Sequence, residues 1–532
     1  MSEPETPPPG PPAEAKTGPL AWFRAFFATV NPAVFTASAG VILAFVFYGV
    51  LLPEQANRVF SSIQGFITEY LGWLYLVVVT FFLAFLIWLG LSRYGRIRLG
   101  SPDEAPRFGF VAWFSMLFSA GMGIGLVFWS VAEPILHYQN PPAGEGGTPA
   151  AAEQAMVYAF FHWGLHAWAV YVVLGLSVAY FSFRYQLPLT IRSIFFPLLG
   201  NRIYGPFGHV IDVLAVFGTL FGLATSLGLG VMQLNTGLHT LVGMPVSHWH
   251  QVGLIGVITT IAVLSVISGL DRGLKWLSVF NLGLALTLLG FVLLAGPTLF
   301  IIRFFLDATG GYLQQLIELS LTADAVGGST WQKDWTMFYW AWWIAWSPFV
   351  GIFIARVSRG RTIREFIVGV LALPSLFVGL WMATFGGTAL HLELFGGEAG
   401  IAAAVAEDTT TALYVTLAEL PWPTLASAVA TLLIATYFVT SSDSGTHVVD
   451  ALISRGSTRS PKRQRVIWGI LEGAVAATLL VVGGEQALAS LQTGSIAAGL
   501  PVAVILVFAC FSLLRSLQRE YRVEGARPPW GT

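Results

Sequence analysis

The sequence is short of charge. Asp, Glu, Lys and Arg make up only 10% of its 532 residues, against roughly 25% in soluble domains, so it cannot cover a water-facing surface of its own size. Neither sign dominates, the formal net charge being −1, and no basic face is offered to a nucleic acid. Cysteine is nearly absent. The lone Cys510 lies in an apolar run and rules out a disulfide framework or a thiolate metal site. No cleavable signal opens the chain; Pro4, Pro7, Pro8, Pro9, Pro11 and Pro12 form a tract that reads as a disordered cytosolic tail over residues 1–30. With 55% apolar residues and a mean hydropathy of +0.72, the solvent around most of the chain must be lipid.

Long apolar runs are abundant. A hydrocarbon core of about 30 Å takes about 20 apolar residues in a helix. Runs of that size fall near 32–52, 70–92, 109–130, 154–182, 208–234, 251–269, 275–302, 336–356, 363–387, 422–441, 464–482 and 488–514, which predicts an all-α polytopic protein with twelve transmembrane helices. Basic residues test the count, because they collect on the cytosolic side. With the N-terminus inside, all but Arg58, Arg303 and Lys333 of the 27 Lys and Arg residues fall in cytosolic segments. Shifting the count by one helix destroys that asymmetry, so both termini are expected in the cytosol of a bacterial cell, with the chain in its inner membrane. Residues 305–321 are too polar to span. Leu313, Leu316, Ile317 and Leu321 recur there at helical spacing, as in an interfacial amphipathic helix that packs on a neighbouring subunit or lies on the surface of its own.

Three constellations carry chemistry. The third run reads SAGMGIGLVFWSVAEP, with Gly121, Gly123 and Gly125 alternating. Glycine costs a helix interior about 1 kcal/mol each, so the segment invites unwinding that would expose amides to a carboxylate and carbonyls to Na⁺. Close helix packing is the other reading of the same glycines. The eighth run carries six tryptophans, Trp331, Trp335, Trp340, Trp342, Trp343 and Trp346. The last four lie too deep for interfacial duty. Stacked indoles with no carboxylate beside them suit a quaternary ammonium, which is drawn to π-faces and cannot donate a hydrogen bond; Trp163, Trp168 and Tyr171 of the fourth run could close such a box. Packing is the alternative role for such a stripe.

The tenth run ends TYFVTSSDSG, bringing together hydroxyls of Thr440, Ser441, Ser442 and Ser444 that suit Na⁺ or bond back to their own helix. Thr219, Thr225 and Ser226 repeat the signal more weakly. His162 and His166 stand one turn apart with no recognisable third ligand, which reads as a structural pair.

These strings closely resemble the betaine/choline/carnitine transporter family. GMGIGLVFWSVAEP, HWGLHAWAVYVVLGLSVAYFSFRYQLPLTIRS, DWTMFYWAWWIAWSPFVGIFIARVSRGRTIREF and TYFVTSSDSG carry the likeness over roughly residues 30–515. The resemblance implies a LeuT-type fold in a homotrimer, with two peripheral helices in 31–92. Inverted five-helix repeats would fill 109–302 and 334–514, and a short cytosolic tail 515–532. It places the substrate box on Trp163, Trp168, Tyr171, Trp343 and Trp346, flanked by Trp340 and Trp342, against the backbone of Gly121, Met122, Gly123 and Gly125. It places a Na⁺ site on carbonyls around Ser119, Met122 and Tyr437 with the hydroxyls of Thr440 and Ser441. A second Na⁺ site would use Thr219 and Phe349, but its second threonine is replaced here by Leu223, which offers no oxygen. No cofactor is implied beyond Na⁺ as coupling ion.

Position 125 speaks to the substrate. Proton-coupled choline members of the family resemble GIGID here, whereas this chain has Gly125 and no acid from Phe108 to Val131. A cation buried without a partner is costly, while a zwitterion brings its own negative charge for glycine amides to meet. A zwitterionic osmolyte, glycine betaine first, is therefore expected, with a choline or carnitine transporter or exchanger as the alternative. The short, mixed-charge tail after Leu514 predicts weak osmotic activation.

Overall fold

The computed structural model describes residues 26–27, 30–121, 123–268, 271–397, 400–457 and 461–523. The Pro-rich tract up to residue 25, Met122, and the side chains of Ser119 and Gly121 lie outside the described set. Among the described residues the chain is helical, and its one isolated β-bridge joins Arg98 to Thr362.

The long helices are α1 Pro32–Leu51, α2 Pro53–Phe66, α3 Gly72–Leu91, α4 Phe110–Gly121, α5 Ile124–Gln139, α6 Pro149–Trp163, α7 Leu165–Ala179 and α8 Pro206–Val242. After them come α9 His248–Ser268, α10 Asp271–Ala295, α11 Thr298–Leu321, α12 Thr336–Val357, α13 Ile363–Phe395, α14 Pro423–Ile453, α15 Lys462–Gly483 and α16 Ala487–Val523. Proline opens α1, α2, α6, α8 and α14, where its fixed φ suits the first turn and its missing N–H costs nothing. Thr362 and Glu365 close a capping box at the start of α13.

Ten stretches among the described residues are long and apolar enough to cross a membrane. The last of them, Lys462–Tyr521, contains both α15 and α16. The apolar run at 109–130 is divided between α4 and α5, neither of which reaches eighteen residues. Peripheral and central helices differ in what surrounds them. Of the most apolar window in α1 only 28% is buried, against 89% in the stretch that ends with α12. Every residue from Thr336 to Ile352 is buried, so α12 is a core helix apolar all round, packed between α7, α8 and α16.

The helix expected over 305–321 starts earlier, at Thr298, directly after Pro297, which cannot continue the hydrogen-bond ladder of α10. Its inner face, with Phe304, Ala308 and Tyr312, packs on α6 and α13, while Leu313, Ile317 and Leu321 stay exposed on the other side.

Candidate substrate-binding site

Two helix breaks interrupt apolar segments that pack beside α12. Between α4 and α5 the backbone of Gly123 is extended, at φ −155° and ψ −176°. Between α6 and α7 Gly164 leaves helical geometry at φ −90° and ψ −135°, a break the sequence reading missed. A donor freed there is satisfied from outside the helix, since Leu165 N–H donates to Tyr312 Oη on α11 at 3.2 Å. Placing Trp163 before the break and Trp168 after it lets the two indoles approach one space from different directions.

That space is a small cavity. Gly123 and Gly125, Trp163, Trp168 and Tyr171, and Trp343 and Trp346 all line it, with aliphatic Leu126, Ala167, Val350 and Val378 completing the wall. The rings form a corner: Trp163 meets Trp343 edge-on at 4.8 Å and 69°, and Trp168 meets Tyr171 at 5.5 Å and 81°. Two buried polar atoms on these walls, Tyr171 Oη and Trp346 Nε1, have no hydrogen-bond partner among the described residues, although buried polar groups are rarely left so.

Trp342 is not in the wall. Its ring stacks on Trp343 at 4.7 Å and 16°, its Nε1–H donates to Gly222 C=O at 3.3 Å, and its far edge presses on Gly125. A Cβ on Gly125 would collide with that ring, so glycine is required there by close approach. Trp340 turns the other way and stacks on His166 at 5.5 Å.

The expectation that no carboxylate stands beside the indoles is corrected by Glu133. It lies on α5, wholly buried. Its Oε2 accepts from Trp163 Nε1–H at 2.7 Å and from Tyr339 O–H at 2.6 Å. Its Oε1 lies 2.6 Å from His162 Nδ1 and 3.2 Å from His137 Nε2. The remaining nitrogen of His162 meets Thr336 Oγ1 at 2.9 Å, while the His162 backbone carbonyl accepts from Trp343 Nε1–H at 2.9 Å. Both indoles of the cavity corner are thus fixed through one hub. His162 and His166 do not act as a pair, for His166 Nε2 bonds Ser320 on α11 at 2.9 Å. Glu133 was legible as an acid at membrane depth, a feature that marks function by default, but its partners are spread over distant segments.

The hydroxyls expected to hold ions fall in two places. On α14, Thr440 Oγ1 donates back to its own helix at 3.1 Å and accepts from Asn281 Nδ2–H at 3.1 Å; Ser441 is half-buried and Tyr437 buried. On α8, Thr219 Oγ1 donates to Ala215 C=O at 2.8 Å and Leu223 is fully buried. Thr225 points away to α16, 2.8 Å from Ser495 Oγ, and Phe349 stacks on Trp346 at 6.0 Å.

The profile of the betaine/carnitine/choline family transporters matches residues 33–522. The chain belongs to this family. It is 46% identical to the glycine betaine transporter of Bacillus subtilis over 92% of this chain and 95% of that one. A probable glycine betaine transporter of Desulfitobacterium hafniense is 45% identical over 91% and 97%. An osmo-dependent choline transporter of Acinetobacter baylyi is 41% identical over 93% and 73%. Membership makes this a multi-pass membrane protein of a transporter family, in keeping with its ten apolar stretches.

Proposed function

We propose that this protein is a secondary active importer of a zwitterionic quaternary-ammonium osmolyte, glycine betaine first, coupled to Na⁺ by alternating access. The observation that carries the reading is the cavity itself. Four tryptophans and a tyrosine from α6, α7 and α12 enclose it, two glycines form its floor, and no acidic side chain lines it. A trimethylammonium group is attracted to such ring faces without needing a hydrogen bond. A carboxylate at the other end of the same molecule finds the backbone beside Gly123 and Gly125, and the two unpartnered donors Tyr171 Oη and Trp346 Nε1. Relatives named for glycine betaine support the same choice.

In this reading the chain crosses the membrane twelve times, with Lys462–Tyr521 counted as two crossings and α4 with α5 as one broken crossing. The broken helices belong to a LeuT-type pair of inverted five-helix repeats, both termini face the cytosol, and the membrane is the bacterial plasma membrane. The exposed stripe of α11 is the surface through which copies assemble as a trimer or contact lipid. One Na⁺ binds at backbone carbonyls around Ser119, Met122 and Tyr437, with the hydroxyls of Thr440 and Ser441. The second site, at Thr219 and Phe349, is incomplete because Leu223 supplies hydrocarbon there. Choline is the second candidate, favoured by the choline-named relative and by the buried carboxylate behind Trp163.

Uptake of radiolabelled glycine betaine into proteoliposomes tests the proposal. An inward Na⁺ gradient should drive accumulation, and unlabelled betaine should compete better than choline. Uptake driven by exchange alone, or competition led by choline, overturns it.

A further inference from the structure

The hub behind the aromatic corner offers more than hydrogen bonds. Glu133 and His137 stand one turn apart on α5, and His162 is the last residue but one of α6. All three side chains are wholly buried. Glu133 Oε1, His137 Nε2 and His162 Nδ1 lie within 4.8 Å of one another, so three atoms able to offer a lone pair converge from two helices. Among the described residues Glu133 has no ion-pair partner except these two histidines. A buried carboxylate is ordinarily paired with a fixed cation or bound to a metal.

The groups are also oriented from behind. The other carboxylate oxygen is held by Trp163 and Tyr339, and the other nitrogen of His162 meets Thr336 Oγ1. Outer partners of this kind set the direction and tautomer of metal-bound side chains. His137 is held by packing instead, its ring 4.4 Å from that of Trp335, and its Nδ1 has no partner among the described residues. The two carboxylate–imidazole distances are 2.6 and 3.2 Å. A tetrahedral ion bonded at about 2.0–2.1 Å spaces its ligands about 3.4 Å apart, so side-chain shifts on the order of 1 Å seat it.

We propose that Glu133, His137 and His162 form a binding site for a divalent transition-metal ion, zinc first. Two imidazoles and one carboxylate suit zinc, copper or nickel, whereas hard cations take oxygen ligands. Three protein ligands leave a fourth position for water. Entry is from the end of α5, where Gln139 is half-buried and Asn140 exposed. There the Trp331 ring lies 4.8 Å from His137 and 5.9 Å from His162. None of the three ligands lines the substrate cavity. The ion bears on that cavity all the same, because Trp163 is anchored to Glu133 and Trp343 to the His162 carbonyl. The assignment does not depend on which osmolyte is carried.

Zinc binding to the full-length protein in lipid nanodiscs, without any osmolyte, tests it. Protein equilibrated with buffered zinc and then desalted should retain one ion per chain by elemental analysis. Its X-ray absorption spectrum should show nitrogen and oxygen neighbours at about 2.0–2.1 Å, with imidazole scattering. His137→Asn should bind zinc at least ten-fold more weakly and lose the zinc-dependent rise in melting temperature that the wild type shows. His137→Cys should keep the ion and bring in a sulfur neighbour at about 2.3 Å, a change that a misfolded variant does not produce. Zinc that the wild type fails to retain, or that His137→Asn retains equally well, overturns the proposal. So does a spectrum of oxygen neighbours alone, or one without sulfur in His137→Cys.

Discussion

Trp163 Nε1–H donates to Glu133 Oε2 at 2.7 Å, so an indole that walls the aromatic cavity is held by the helix that begins at the cavity's glycine floor. The aromatic cavity and the broken helix are thereby directly linked.

Glu133→Gln tests that linkage. The glutamine keeps the size of the side chain but replaces one acceptor by an NH₂, so its single oxygen can serve the Trp163 and Tyr339 donors or the two histidines, not both. Loss of a satisfied buried acceptor costs about 1–3 kcal/mol. The variant should purify with a lowered melting temperature and bind glycine betaine about ten-fold more weakly. Wild-type affinity with an unchanged tryptophan fluorescence spectrum would reduce Glu133 to filler.

Trp343→Leu addresses the cage directly. Trp343 is 2% exposed and lines the cavity. A desolvated cation–π contact is worth about 2 kcal/mol, so affinity in a fluorescence or radioligand titration should fall about thirty-fold while the protein still folds. Unchanged affinity would return the cluster to packing.

Gly125→Ala should be poorly tolerated, because its Cβ meets the Trp342 ring. Overpacking of this kind costs about 1–3 kcal/mol. Trimming the neighbour in Gly125→Ala/Trp342→Leu should recover part of the lost stability and binding, as coupled neighbours do. Additive losses in a thermal-melt double-mutant cycle would refute the contact.

Sodium dependence separates one ion from two. With Leu223 in place of an oxygen donor, uptake should rise hyperbolically with Na⁺ concentration. Thr440→Ala should raise the half-saturating Na⁺ concentration about ten-fold, and Thr219→Ala should change it little. A sigmoidal wild-type curve, or a large effect at Thr219, would restore the second site.

Much of this protein was legible before its coordinates. The apolar runs pointed to the helices, the aromatics of the fourth and eighth runs pointed to the rings of the cavity wall, and the alternating glycines pointed to a break that is seen at Gly123. The break at Gly164 was not legible, since GLHAW is flanked by apolar residues that would continue a helix. Trp342 and Trp343 are adjacent in sequence and equally aromatic, yet one lies behind the floor and the other lines the cavity. Ten apolar stretches appear where twelve runs were expected, because the run at 109–130 is divided between α4 and α5 and the runs at 464–482 and 488–514 fall within one stretch.

The sequence by itself determined the solvent and the family, because hydropathy and charge placement report on each segment where it stands. The tertiary structure alone decided which side chains share a site. Glu133 gathers His162 from 29 residues away and Tyr339 from 206 residues away. No local pattern encodes such meetings. They arise when helices pack and a buried carboxylate, cut off from water, must find every partner inside the protein.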